Sequence, residues 1–296
     1  MASDHRSRLE RSCGARPRDW IRIGRSRPGL DRIEACFAGH GFTPHRHDSY
    51  AIGITLQGVQ SFGYRGTTLH SQVGQAMVLH PDEVHDGRAG TEAGFRYRIL
   101  YVDPRLIQEA LGGLALPFVR EAVTGDPCLT GVVARALEDL DAAISDLECD
   151  ETISALACAL TALDRSAKAI VVTGLCRGAV EKVRAFLAAN IGRNVHSEEL
   201  EAVSGLSRFA LARQFRICFG TSPYRYVVMR RLDLARQLML AGTGLAEAAV
   251  SIGFADQSHM ARQFKKTYGM TPGRWLDTVR HVSSATLWRM PPRGPV

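Results

Sequence analysis

From Thr43 to Asp103 the apolar residues come in short runs, most of them alternating with polar or small residues. Tyr50, Ile52, Ile54 and Leu56 alternate until Gln57-Gly58, and residues 61–65 end at Gly66. Val73-Gly74 leads into the apolar residues 76–79, which Pro81 stops. Phe95, Tyr97, Ile99 and Tyr101 then alternate with Arg96 and Arg98 up to Asp103-Pro104. A period of two sends successive side chains to opposite faces of a strand. Strands this short, punctuated by Gly and Pro with no helical period between them, predict an antiparallel barrel or sandwich.

The period then changes. Leu137, Leu140, Ile144 and Leu147 step by three and four, as do Ile153, Leu156, Leu160 and Leu163. With Glu138, Asp139, Asp141 and Asp146 on the other side, the spacing predicts amphipathic helices. Their apolar stripes suit packing on their own barrel or pairing with a second copy of the chain, and the spacing leaves both open. Residues 165–177 read as a linker.

Beyond the linker the chain repeats itself. Leu211-Ala212-Arg213-Gln214-Phe215 matches Met260-Ala261-Arg262-Gln263-Phe264, 49 residues on. The match continues through Gly220 and Gly269, Ser222-Pro223 and Thr271-Pro272, and Arg225 and Arg274. Each copy reads as a short helix, a Gly turn (Gly205, Gly253) and a second helix. Ser197, Ser207 and Asp256 are expected N-caps, with Leu211 and Phe215, and Met260 and Phe264, as core pairs. The helix beginning at Pro223 joins the copies into one rod suited to two major-groove segments about 34 Å apart.

Charge sharpens this division. The chain has 296 residues and a net charge of +7, from 33 Arg and only 4 Lys among its bases. Residues 1–32 are net +5, residues 33–177 net −7, and residues 178–296 net +9. An acidic middle joined to a basic, arginine-dominated end points to a sensing module attached to an anion-binding one. Seven scattered cysteines without a CxxC pair indicate reduced thiols in the cytosol. Apolar stretches of about eight residues fall far short of the ~20 that cross a membrane. The first 32 residues lack an apolar signal region and read as a flexible basic tail. A cytoplasmic protein without a membrane partner is expected.

Three histidines carry candidate chemistry. Pro44-His45-Arg46-His47 followed by Gly58, then Gly74 through Pro81 to His85, resembles the paired motifs of the cupin barrel. Metal-binding cupins add a Glu shortly after the second His, where this chain has Asp48-Ser49-Tyr50-Ala51-Ile52. The second motif is also one residue short. Three imidazoles suffice for a divalent ion with an open position, but these departures favour a small-molecule pocket, so no metal and no cofactor is assigned. The effector-binding candidates are His45, His47, Tyr50 and His85, with Arg96 or Arg98 joining if their strand face looks inward. Along one continuous strand His45 and His47 share a face with Ala51 rather than Tyr50. Such a pocket suits an anionic or polyhydroxylated metabolite.

The paired helical motif, above all Ala249-x3-Gly253-Phe254 and Arg262-Gln263-Phe264-Lys265-Lys266-x2-Gly269-Met270-Thr271-Pro272, resembles the AraC/XylS transcription regulators. The resemblance implies an α+β chain: a cupin-like antiparallel β barrel with flanking helices, then an all-α domain with two helix-turn-helix units. The implied division is a tail (1–32), an effector-binding and dimerisation domain (33–164), a linker (165–177), the DNA-binding domain (178–281) and a C-terminal tail (282–296). It also implies a homodimer on promoter DNA, controlled by a small-molecule effector and acting on RNA polymerase. Carried over residue by residue, the DNA-facing positions are Arg208, Phe209, Ala212 and Arg213 in the first copy. Gln257, Ser258, His259 and Arg262 correspond in the second. Arg213 and Arg262 are matched to guanine edges, Gln257 to an adenine or another base edge in the groove, and Phe209 to a thymine methyl. Ala212 is a departure, since a long polar residue is common there. Thr221, Ser222, Arg230, Arg231, Lys265 and Lys266 are phosphate candidates. A metal-dependent cupin enzyme with a DNA-binding appendage is the alternative. A DNA-repair methyl acceptor, which needs an activated Cys, finds no cluster for one here. No catalytic residue is assigned.

Overall fold

The computed structural model describes residues 19–164 and 176–284. The strands are β1 (Trp20–Ile23), β2 (Leu30–Phe37), β3 (His40–His45), β4 (Tyr50–Gly58), β5 (Gln60–Tyr64), β6 (Thr67–Ser71), β7 (Ala76–Leu79), β8 (His85–Ala89), β9 (Phe95–Val102) and β10 (Val123–Thr124). They form two antiparallel sheets, ordered β1-β2-β9-β4-β7-β10 and β3-β8-β5-β6. Alternation sorts the side chains. Phe37, Ala51, Phe62, Phe95, Tyr97 and Ile99 share a core that both sheets line. Tyr50, Ile52, Leu100 and Val102 face instead three helices: α1 (Pro104–Ala110), α2 (Pro127–Ala136) and α3 (Asp146–Leu163).

Two expectations change. The barrel begins at Trp20, not after residue 32: β1 pairs with β2 from Trp20 opposite Cys36 to Ile23 opposite Ile33. Its Ile21 and Ile23 alternate like any other strand but sit within an arginine-rich stretch that reads as a tail. Residues 1–18 lie outside the described part. The helical period across Leu137–Leu147 also does not make a helix. The chain from 137 to 145 is irregular because its carbonyls are taken by two arginines. The Arg32 guanidinium donates to Asp139 O (2.8 Å) and Ala142 O, and Arg98 donates to the carbonyls of Leu137 and Glu138. Asp139 Oδ1 accepts from the backbone N–H groups of Asp141 (2.8 Å) and Ala142 (3.1 Å), which closes the turn. Leu137 and Leu140 are buried all the same, while Leu147 is exposed. Helix α3 starts with a capping box between Ser145 and Glu148 and carries the second stripe. Ile153, Leu156 and Leu160 pack on the sheet with Leu129 and Val133 of α2, so the stripe is covered by its own barrel. The expected linker falls largely on 165–175, outside the described residues.

The C-terminal part is helical: α4 (Arg177–Ala189), α5 (Ser197–Ser204), α6 (Arg208–Phe219), α7 (Pro223–Leu240), α8 (Leu245–Ser251), α9 (Gln257–Tyr268) and α10 (Pro272–Ser284). Val180, Val183, Leu187, Leu211, Phe215 and Tyr226 make one core around the first repeat. The second repeat, through Leu232, Ala249, Phe254, Met260, Phe264 and Trp275, belongs to the same apolar cluster as the inter-sheet residues. The two domains are thus joined through the second copy.

Arg32 is 2% exposed, and its carbonyl partners come from Arg25 on one side and Ala136, Asp139 and Ala142 on the other. Hydrogen bonds to a charged group contribute about 1.5–3 kcal/mol each, and carbonyls left buried without a donor add a further cost. Arg32→Met keeps most of the stem and removes every donor. It is expected to cost about 3 kcal/mol or more, seen as a lower urea midpoint with an unchanged slope.

Candidate nucleic-acid interface and effector cavity

Both copies of the repeat fold as helix-turn-helix units, α5–α6 and α8–α9. Helix α5 is capped by His196 in a capping box with Glu199, one residue before the expected Ser197. Gly205 turns the chain with φ 68°, and the Ser207 hydroxyl caps α6. In the second copy Asp256 Oδ1 accepts from His259 N–H at 2.6 Å and caps α9. On α6, Leu211, Phe215, Cys218 and Phe219 are buried, which leaves Arg208, Phe209, Ala212 and Arg213 exposed on one face. The Arg208 guanidinium lies 5.0 Å over the exposed Phe209 ring. On α9, Met260, Phe264 and Thr267 are buried, and Gln257, Ser258, Arg262, Lys265 and Lys266 are exposed. His259 is half-buried with its ring 5.3 Å from Phe254.

Several phosphate candidates have other duties. Thr221 is fully buried. Ser222 caps α7, accepting from Arg225 N–H. Arg231 is buried and donates to the carbonyls of Ile191, Arg193 and Gly253, clamping the loops that precede α5 and α9. Arg230 pairs with Asp48 at 3.0 Å and Asp233 at 3.3 Å.

Each recognition helix ends in a left-handed glycine, Gly220 (φ 68°) and Gly269 (φ 69°), and both glycines abut the barrel. A Cβ on Gly220 would meet Pro81 at 2.7 Å, and one on Gly269 would meet Phe42, Thr43 O and His45 at 2.8 Å. The Gly269 carbonyl accepts from the Thr43 N–H (2.9 Å) and hydroxyl (2.8 Å), and Lys266 O accepts from Arg46 N–H (3.1 Å). Nearby, the buried Asp82 carboxylate pairs with Arg225 (3.1 Å), Arg216 (3.4 Å) and Arg46 (3.6 Å). Burial pushes the Asp48 carboxyl up to about 6, although Arg230 pulls the other way.

Between barrel and helices lies a cavity of about 810 Å³. Ile21, Ile23, Phe42, Tyr97 and Tyr101 line it from the barrel, and Met229, Arg230, Leu234, Arg236 and Trp275 from the helical side. His45 and His47 stand in its wall. Tyr50 does not: it is buried on the opposite face of β4, where its hydroxyl donates to Pro117 O at 2.9 Å. Arg96 and Arg98 also face away from the cavity, bound to the buried Glu34. His85 joins His45 and His47 at ring-centroid distances of 4.3 and 4.8 Å. Burial holds all three imidazoles well below their ordinary pKa, His85 at about 4. The helical half of this cavity is not apparent from the periodicity of the sequence. The available signal was charge inside the face that α7 buries: Arg230, Asp233 and Arg236 recur every three residues among Met229, Leu232 and Ala235.

The model of the AraC-like ligand binding domain matches residues 27–157, and that of a helix-turn-helix domain matches residues 200–278. The chain belongs to the AraC family of transcription regulators. Among relatives, the uncharacterized HTH-type transcriptional regulator YbfI of Bacillus subtilis is 26% identical over 230 residues, covering 74% of this chain and 81% of that protein. The RCS-specific HTH-type transcriptional activator RclR of Escherichia coli is 31% identical over 87 residues, 29% of this chain and 31% of that protein. The fold is that of ToxT from Vibrio cholerae, with TM-score 0.61 at 12% identity over 86% of this chain and 99% of that one. Another ToxT structure holds an unsaturated fatty acid. This AraC-type regulator thus carries its ligand-binding domain on the N-terminal side and its DNA-binding domain on the C-terminal side. No described helix is long and apolar enough to cross a membrane.

Asp82 has φ 61°, a conformation that Asn also tolerates. Asp82→Asn therefore tests the charge at the domain junction with little change of shape. Removing one partner from a buried ion cluster costs roughly 3 kcal/mol. Amide exchange in α6 and the start of α7 of this regulator is expected to accelerate by up to about a hundredfold. Unchanged exchange there would mean that the helices dock independently of Asp82.

Proposed function

We propose that this regulator binds promoter DNA as a homodimer, reads it with the exposed faces of α6 and α9, and takes its effector in the cavity between barrel and helices. The observation that carries this reading is the attachment of both recognition helices, by their C-terminal glycines, to the barrel that walls the cavity. A ligand there touches both domains, so it changes how the helices are presented without touching DNA.

Arg213 and Arg262 reach guanine edges, Gln257 an adenine and Phe209 a thymine methyl, with Arg208, Ala212, Ser258 and His259 beside them in the groove. Lys265, Lys266 and the Ser222 end of α7 lie against phosphates. The effector is an organic acid with an apolar body. The cavity combines Ile, Phe, Leu and Trp walls with the guanidinium groups of Arg184, Arg230 and Arg236, and a fatty acid bound to ToxT, which has the same fold, supports this reading. The protein is not an enzyme: its relatives are transcription regulators, and it acts on RNA polymerase at promoters in the cytoplasm. The effector domain begins at Trp20 and ends near residue 164, and the DNA-binding domain runs from about 178 to 281. Since the apolar stripes of α2 and α3 are covered by the sheet, the homodimer pairs through another surface.

A footprint upstream of the protein's own gene, at two salt concentrations and with a panel of carboxylates, tests the reading. Protection of paired half-sites about one helical turn apart, weakening steeply with salt, is expected. Arg213→Ala and Arg262→Ala should each lose about 1–3 kcal/mol and relax preference at one base. Lys265→Ala should instead weaken all sequences alike and lower the salt slope by about one. A pattern that no carboxylate shifts would remove the effector assignment and leave the DNA-binding one standing.

A further inference from the structure

His45 ends β3, His47 follows in the next loop and His85 opens β8, so two separate backbone stretches bring the three rings together. His45 and His85 are register partners across the two strands. One ring nitrogen from each histidine lies within 4.8 Å of those of the other two, and all three side chains are buried. The Nδ1 atoms are committed in the same way on every ring. They lie 2.9 Å from Thr43 O, 2.8 Å from Ser49 O and 2.9 Å from Glu83 O. A carbonyl only accepts, so each Nδ1 carries the proton and each neutral ring keeps its lone pair on Nε2. The His47 Nε2 is buried without any partner. A buried Nε2 lone pair without a hydrogen-bond donor is left to an electrophile.

We propose that His45, His47 and His85 form a binding site for one divalent transition-metal ion of the zinc class. Backbone carbonyls that fix the tautomer and aim the far nitrogen are the outer support typical of metal-bound histidine, and an all-imidazole set selects Zn, Cu, Ni or Fe over Mg or Ca. Tetrahedral Zn–N bonds of about 2.0–2.1 Å place the nitrogens roughly 3.3 Å apart, so only small ring movements are needed. Asp48, the nearest carboxylate along the chain, is engaged by Arg230. The protein therefore supplies three ligands and leaves a position open beside the cavity that His45 and His47 line. The site goes beyond the effector reading and does not depend on it.

The test uses the full-length chain, stripped with a chelator and reloaded with Zn²⁺ or with Co²⁺ as a spectroscopic probe. One metal per chain is expected, with visible Co²⁺ bands of a tetrahedral nitrogen–oxygen site and no thiolate charge-transfer band. His47→Ala and His85→Ala should each weaken binding by at least about 10–100-fold, the loss typical of removing even an outer partner. His40→Ala, on the exposed start of β3, should bind like the parent chain. Should the variants unfold, pulsed electron paramagnetic resonance on the Cu²⁺-loaded parent counts its coordinating imidazoles directly. Less than about a tenth of an equivalent bound, a thiolate signature, unaltered binding in folded variants, or a Cu²⁺ site without several imidazoles would each overturn the proposal.

Discussion

A helix leaves its last carbonyls without partners of its own, and in both recognition helices the ends carrying those carbonyls are set against the barrel. At α9 the partners are explicit: Thr43 and Arg46, at the edge of the effector domain, donate to Gly269 O and Lys266 O. At α6 the corresponding glycine lies against Pro81 and Pro104. Only a glycine adopts the left-handed turn and also lets the barrel come this close. The 49-residue repeat is therefore also a repeated attachment. It leaves the N-terminal turns of both helices, with Arg208, Phe209, Gln257 and Ser258, pointing into solvent. The barrel holds one end of each 12-residue rod and DNA takes the other, about 18 Å away.

Much of this was legible because it is local. The alternation in β4 and β9, the Gly turns, the caps at Ser207 and Asp256 and the repeat itself are short-range patterns, and they fixed the strand and helix assignments. Parity within β4 was informative, since it set Tyr50 apart from Ala51 and Tyr50 lies behind the sheet, but His45 and His47 belong to β3 and the loop after it, not to that strand. The failures share a cause in long-range contact. Nothing near Leu137 announces that Arg32 and Arg98, some 40 to 110 positions away, take the carbonyls a helix would need. β1 was hidden by the composition around it. The helical wall of the cavity depends on docking, which leaves no periodic trace beyond charged residues inside a buried face.

The character of the junction explains why it suits control. Beside the apolar contact of the second repeat, the domains meet through ion pairs, Asp82 with Arg225, Asp48 with Arg230 and Asp31 with Arg236, the last two lining open volume. Buried pairs of this kind sit close to balance, because desolvation offsets most of the Coulomb gain. Asp48 illustrates it: burial raises its carboxyl to about 6 even with a guanidinium 3.0 Å away. A filled apolar seam would cost far more to rearrange, since close-packed cores yield little. A ligand shifts an equilibrium only by its differential affinity for the two arrangements, and allosteric couplings are typically worth 1–3 kcal/mol. That is the scale on which one bound molecule redistributes a near-balanced ion pair, and both recognition helices are fastened to the wall where such a molecule would sit.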